Sequence, residues 1–417
     1  MTDEEIRIKF MALVKSVKEI IESEKARGTI QPEYEIVTRW KVTEFNYDDT
    51  GVHVGKSGEQ IQVPFWHLAS IKIVPIAKES SDYISLSNFL QSMPEIKERG
   101  SDYANQFLSR LIFKILTNEK IADEEINEFI NLFISELKGK PMKSGTIAQL
   151  IGIILQPDEI EISHGIILRK PKKEDFEIDI SVYSFTPQIH SDPTAFLKIS
   201  ILAKTPREVD EELTKAITIL RLFKPGSVKW TTHRMYSESI TRFFGGTHGS
   251  GDILSALENY LIKDEDVNKL KKIYDRISPI LPPNFYRWDI KREDHISIAY
   301  DRYSDALLQS GIIERRITNA IMGLEALYFK PSGEQQELIY RLSMRVAKVL
   351  GNFSFDPIQV RGVLKDAYTI RSIFSHGGHL GYNQKKKFNE KYKGDIKNLL
   401  NSILDFWLCP HNWLIFK

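Results

Sequence analysis

The chain has 417 residues and a mass of 48.2 kDa, more than one ordinary core needs and enough for two or three domains. Its 57 Lys and Arg nearly cancel 56 Asp and Glu, which excludes a generally cationic coat of the kind that wraps duplex DNA. A 42% hydrophobic content excludes wholesale disorder, and the single cysteine, Cys409, excludes an internal disulfide or a multi-cysteine zinc finger.

Met1 to Glu5 reads MTDEE, acidic where a targeting signal is basic, and nowhere do 18 apolar residues run together. The expectation is a soluble, cytoplasmic protein with no membrane span. Residues 3–27 place Ile6, Phe10, Leu13, Val14, Val17, Ile20 and Ile21 on one helical face, ended by Gly28. From Tyr34 to Ile76 the period changes to two, and TRWKVTEF, GVHVG, EQIQVPFW and SIKIVPI read as short strands of a meander. Asp48-Asp49-Thr50-Gly51 and Lys56-Ser57-Gly58 supply its turns. Helical period returns from about Ser85 to Lys138.

After Pro141 a second strand-rich stretch begins. IAQLIGIIL, EIEISHGIILRKP and AFLKISILAK are strand candidates, a helix opens at Pro206 and stops at Lys224-Pro225-Gly226, and SVKWTTHRMY is a further strand. From about Asp264 the period is helical throughout, ending in a bundle of four or five helices over about 294–407. The expected class is α+β: a mixed α/β N-terminal region followed by an all-α C-terminal helical bundle. Its expected domains are 1–140, 141–285 and 286–417.

Few motifs carry chemistry. Gly246-x4-Gly251 has P-loop glycine spacing, but Asp252 and Ile253 stand where Lys and Ser/Thr are required, so a turn is the better reading. His376-Gly-Gly-His379 offers two imidazoles on a floppy chelate, too few for a zinc shell.

The segment Asp366-Ala-Tyr-Thr-Ile-Arg371-Ser-Ile-Phe-Ser-His376-Gly-Gly is more informative. Ile358, Val363, Leu364, Ala367 and Ile370 keep helical period, Asp356 and Pro357 suit a helix start, and Gly377-Gly378 suits its end. Arg371 then lies in the last turns and His376 at the C-terminus. There the helix dipole favours a protonated imidazole, and the guanidinium fork matches phosphate oxygens. Such a pair serves phosphodiester chemistry, or merely caps the helix.

Arg371-x4-His376 near the end of a C-terminal bundle resembles the signature of HEPN domains. Ile298 to Leu307, Ile317 to Leu327, Glu337 to Gly351 and Tyr368 to Gly377 follow in an order similar to the ApeA-like branch of that family. The resemblance covers about residues 290–405, with Arg371-x4-His376 at the end of the penultimate helix. It implies a metal-independent RNA endonuclease that needs no cofactor, a toxin or antiviral effector cutting cellular RNA such as tRNA. It also implies a homodimer through the bundle, with an unidentified trigger acting on the N-terminal region. His376 would be acid/base and Arg371 the phosphate binder. Nuclease-active members often carry Asn, Asp or His after the arginine. Here Ser372 stands there, able to donate to phosphate but not to act as a base. Inactive members serve as nucleic-acid-binding or dimerisation modules, which is the alternative function.

Other polar residues each have two readings. Glu325 orients an arginine or is simply an acid in an apolar run. Glu337, Arg341 and Arg345, four residues apart, form a solvated ion-pair ladder or a wall whose arginines grip RNA. Tyr368 stacks on a base or is structural. Lys385, Lys386 and Lys387 are a solvated face or a phosphate-binding rim. Residues 356–398 hold nine Lys and Arg against four acids, so a local charge of +5 sits on a body of −4.

Overall fold

The computed structural model describes residues 3–48, 50–65, 67–97, 102–118, 121–177, 179–181, 193–224, 226, 228–238, 247–249, 260–281, 295–308, 312–329 and 337–407. The chain is α+β, with its sheets N-terminal to a helical C-terminal region.

Helix α1 (Asp3–Ala26) buries Ile6, Phe10, Leu13, Val14, Val17 and Ile21, the face its spacing requires. Strands β1 (Glu33–Asp48) and β2 (Gly51–Phe65) then form one long antiparallel hairpin rather than a meander. Lys56-Ser57-Gly58, expected as a turn, lies inside β2, where Gly58 pairs with Trp40. A Cβ on Gly58 would sit 3.0 Å from the Thr38 methyl and 3.5 Å from the Trp40 ring, so this glycine serves a close cross-strand approach. At the hairpin tip Asp48 Oδ1 accepts from the Thr50 amide at 2.7 Å; Asp49, part of the expected turn, lies outside the described residues.

SIKIVPI, expected as a strand, belongs to helix α2 (His67–Lys78). Ala69, Ile73 and Ala77 are buried at four-residue spacing while Ile71 and Ile76 are exposed. The alternating isoleucines hid a helical stripe completed by alanines. Helices α3 (Ser81–Ser92), α4 (Pro94–Lys97), α5 (Asp102–Thr117) and α6 (Asp123–Leu137) complete this unit. Its core centres on Phe10, Phe107 and Phe133, with the Phe107 and Phe133 rings stacked.

The second unit contains β3 (Met142–Ile151), β4 (Ile153–Leu155), β5 (Glu159–Ser163), β6 (Ile166–Arg169), β7 (Asp179–Ser181) and β8 (Ala195–Ala203). Helix α7 (Pro206–Phe223), β9 (Lys229–Ser237), β10 (Thr247–Gly249), β11 (Tyr260–Ile262) and α8 (Val267–Ile277) follow. Six strands form an antiparallel sheet in the order β10-β9-β3-β8-β6-β5, and β4 pairs in parallel with β11. The N-terminal hairpin is tied to this unit. Strand β7 extends it beside β1, and the Tyr47 hydroxyl donates to the Thr194 carbonyl at 3.0 Å while accepting from the Leu155 amide at 2.9 Å. Of the glycine-rich loop around 246–251, only the short strand β10 falls within the described residues.

Helices α9 (His295–Leu308), α10 (Ile313–Tyr328), α11 (Leu338–Gly351), α12 (Pro357–Ser375), α13 (Tyr382–Lys391) and α14 (Lys397–Trp407) form the C-terminal bundle. That is six helices among the described residues, not four or five, and α12 is third from last rather than penultimate. The additional helix is α13, YNQKKKFNEK, which buries no residue and so carries no apolar period to read. The expected boundary at 140 falls between α6 and β3. The one at 286 lies outside the described residues, and the core runs across it: the Tyr303 hydroxyl donates to the Arg221 carbonyl at 2.8 Å, and Arg221 donates to the Tyr300 hydroxyl at 3.2 Å. Cys409 also lies outside the described residues. Among them, no helix is long and apolar enough to cross a membrane.

Candidate active site at the end of α12

Helix α12 starts and stops where its sequence dictates. Asp356 caps it by accepting from the Ile358 amide at 2.9 Å, and Pro357 occupies the first turn. Val360, Val363, Leu364, Ala367 and Ile370 are buried. Ile358, expected with this stripe, is instead 80% exposed: Val360, where the buried stripe starts, is two residues on and about 200° around the helix at 3.6 residues per turn, so Ile358 lies on the opposite face.

The C-terminus is a Schellman motif. Gly377 adopts φ +78°, its amide donates to the Phe374 carbonyl at 3.0 Å, and the Gly378 amide donates to the Ile373 carbonyl at 3.0 Å. His376 is the capping residue, φ −91°, with an exposed side chain. Two of the last carbonyls are thereby satisfied by glycine amides.

Arg371 sits five residues earlier, about 7.5 Å along the axis at 1.5 Å per residue. Its Nη2 donates to Glu325 Oε2 of α10 at 3.1 Å, and Nη1 reaches the Tyr368 hydroxyl at 3.4 Å. The guanidinium also lies 5.0 Å from the centre of the Tyr368 ring, in cation–π range. Side chains of Arg371 and Glu325 are 25% and 16% exposed, so the pair works in a partly dry crevice where its attraction is only weakly screened. Arg371 Nε and Glu325 Oε1 are buried without a partner among the described residues. Burial raises the Glu325 pKa above its ordinary value, with Arg371 pulling the other way. Burial likewise raises the Tyr368 hydroxyl, again opposed by Arg371.

The position of α10 is fixed by a close approach two residues before Glu325. A Cβ on Gly323 would meet the Trp407 ring at 2.5 Å and the Ala299 carbonyl oxygen at 3.0 Å. Glycine there lets α9, α10 and α14 pack tightly enough to bring Glu325 beneath Arg371.

The remaining expected residues divide. Ser372 is half-buried beside Arg371, and its carbonyl accepts from the His376 amide at 3.3 Å. Arg345 of α11 reaches the same end of α10, donating to the Tyr328 carbonyl at 2.8 Å and covering the Phe329 ring. Glu337, expected in a ladder with Arg341 and Arg345, is the left-handed cap of α11, φ 56°, and its carbonyl accepts from the Arg341 amide. Arg341 is half-buried on the first turns of α11.

The lysine cluster is also divided. Lys385 lies 3.2 Å from Glu314 Oε1, a carboxylate only 1% exposed in the first turn of α10. The approach lacks hydrogen-bond alignment, both Glu314 oxygens being without a donor among the described residues, so the contact is Coulombic. Lys391 Nζ and the Tyr392 hydroxyl both meet Asp366 Oδ2 at 2.6 Å. These contacts fasten α13 to α10 and α12. Lys386 and Lys387 point outward and are exposed. The acids Glu314 and Asp366 are structural anchors that the sequence does not flag, because each partner lies at least 25 residues away. Among the described residues no group of three His, Cys, Asp or Glu side chains is placed to hold a metal ion, and His379 stands beside the Phe374 ring.

No protein-family model, no curated protein and no solved structure matches this chain.

Proposed function

We propose that the chain is a metal-independent RNA endonuclease of HEPN type, a toxin or defence effector acting on cellular RNA such as tRNA. The observation that carries this reading is an Arg371 held in place by Glu325 and Tyr368 in the last turns of the helix that an exposed His376 caps. Fixing the guanidinium beforehand spares the ordering cost when phosphate arrives. The Arg371 Nε–H meets no acceptor in its crevice among the described residues, so it remains available to an oxygen that enters there. Arg371 would bind the scissile phosphate and stabilise its extra charge in the transition state. His376 would take the 2′-hydroxyl proton or deliver one to the leaving 5′-oxygen. One imidazole per chain supplies one of these two transfers, which favours a homodimer through the bundle with two facing sites. Ser372 and Tyr368 lie close enough along α12 to donate to phosphate oxygens, and the exposed Lys386 and Lys387 suit a rim.

One observation favours a second reading, a catalytically inactive nucleic-acid-binding or dimerisation module. Glu325 occupies the Nη2 edge that a bidentate phosphate would use, and Ser372 adds no base. Expression of wild type and of His376→Ala in cells separates the two. The nuclease reading expects toxicity and RNA breakage that disappear in the variant. Identical growth and intact RNA in both, with every candidate trigger supplied, would overturn it.

A further inference from the structure

A groove of about 370 Å³ lies between α11 and the first turns of α12, lined by Met344, Arg345, Ala347, Lys348, Pro357, Ile358 and Arg361. Its floor is aliphatic. Ile358 is 80% exposed and Met344 39%, although both belong to helices whose other faces are packed. These two side chains leave aliphatic surface in water that a docked segment would cover. The rim is cationic: Arg345, Lys348 and Arg361 surround the floor, and none of the lining residues is acidic. Arg361 lies over the Tyr340 ring, itself 54% exposed, so the apolar surface continues beyond the groove under a guanidinium.

We infer that this groove docks an acidic, amphipathic peptide segment of a partner protein, its aliphatic side chains seated on Met344, Pro357 and Ile358 and its carboxylates on Lys348 and Arg361. Two observations choose this occupant. The floor offers aliphatic groups, whereas strands of RNA stack their bases on aromatic faces, and none of the groove's lining residues is aromatic. A second copy of the chain meeting this face across a two-fold axis would set one cationic rim against another, with no carboxylate in the groove to relieve them. An apolar floor with a one-sign rim fits a segment of the opposite charge that alternates carboxylates with apolar anchors at helical spacing. Arg361 precedes Arg371 by ten residues, about 15 Å along α12 at 1.5 Å per residue, so a segment bound here leaves His376 uncovered. Such a partner would be a regulator rather than a competitor for the phosphate site. This inference does not depend on the chain being a nuclease.

The test is selection of a random 16-residue peptide display library on the purified full chain, with counter-selection on Ile358→Asp and on the double variant Lys348→Glu/Arg361→Glu. These positions are exposed, and circular dichroism and gel filtration check that the variants stay folded. Enriched peptides should combine Asp or Glu with large aliphatic anchors and lose about tenfold or more in affinity for either variant by fluorescence anisotropy. Versions with Lys in place of each acid should prefer the double variant. A pool without acidic bias, no enrichment, or equal binding to wild type and variants would overturn the proposal. So would a dimer that becomes monomeric in Ile358→Asp, which assigns the face to a second copy. Loss of single-stranded RNA binding in the double variant, with no acidic peptide enriched, assigns it to nucleic acid instead.

Discussion

Arg371 and Glu325, 46 residues apart in sequence, meet at 3.1 Å between α12 and α10, and this contact aims the guanidinium that sits five residues before His376. The pair is mostly shielded from water, so removing one member has different consequences from removing the other.

Arg371→Ala leaves Glu325 buried without its cation. It should lower stability by about 1–3 kcal/mol in urea unfolding, and Glu325→Gln in the same chain should recover part of that loss. Additive effects of the two changes would show that the pair is not coupled. RNA cleavage should be lost in Arg371→Ala and in Arg371→Lys, since an ammonium lacks the planar fork.

Glu325 also sets a pH dependence. Its folded pKa lies above the ordinary value of 4.5 because burial disfavours the charge. The folded state therefore holds that proton more tightly than the unfolded chain. The resulting stabilisation is fully present below the unfolded pKa and is lost as pH rises through the raised folded value. Thermal unfolding followed upward from about pH 4 should show a decline that is shallower in Glu325→Gln. An identical slope in both proteins would contradict the assignment.

Gly377 holds a left-handed conformation, φ +78°, with no atom near the position of an added Cβ. Gly377→Ala should therefore cost about 1 kcal/mol through backbone strain alone, with no packing clash. Because the same turn presents His376, cleavage should fall more than stability does. Gly377→Asn, which tolerates this conformation better, should recover most of both.

The three consecutive lysines should not behave alike. Lys385→Ala removes the cation beside the buried Glu314 and should destabilise the bundle by about 2 kcal/mol, relieved by Glu314→Gln. Lys386→Ala and Lys387→Ala should leave unfolding unchanged. Each should reduce the salt dependence of RNA binding, lowering the slope of log affinity against log salt by about 0.7.

Much of this arrangement was legible in the sequence because it is local. The cap at Asp356 and Pro357, the buried stripe from Val363 to Ile370 and the glycine stop after His376 all lie within about six turns of one helix. Amphipathic faces such as Ile6 to Ile21 were equally plain. What escaped depends on partners far along the chain. Ala69 and Ala77 complete the stripe of α2 only once α1 and α5 pack on it, and Gly58 is explained by Trp40 across the hairpin. Helix α13 has no buried side to advertise itself and is held by Lys385, Lys391 and Tyr392 contacts to acids on other helices. Glu325 was legible as an acid out of place in an apolar run, while its partner became specific only in the fold.

The decisive measurement is the chemistry of the cut end when purified protein meets a defined RNA in excess EDTA. On the proposed mechanism, attack by the neighbouring 2′-hydroxyl, with His376 moving a proton and Arg371 stabilising the phosphate, would leave a 2′,3′-cyclic phosphate and a 5′-hydroxyl. Mass spectrometry should find those termini with wild type and no cleavage with His376→Ala. A 5′-phosphate product, cleavage abolished by EDTA, or equal cutting by wild type and His376→Ala would contradict the mechanism.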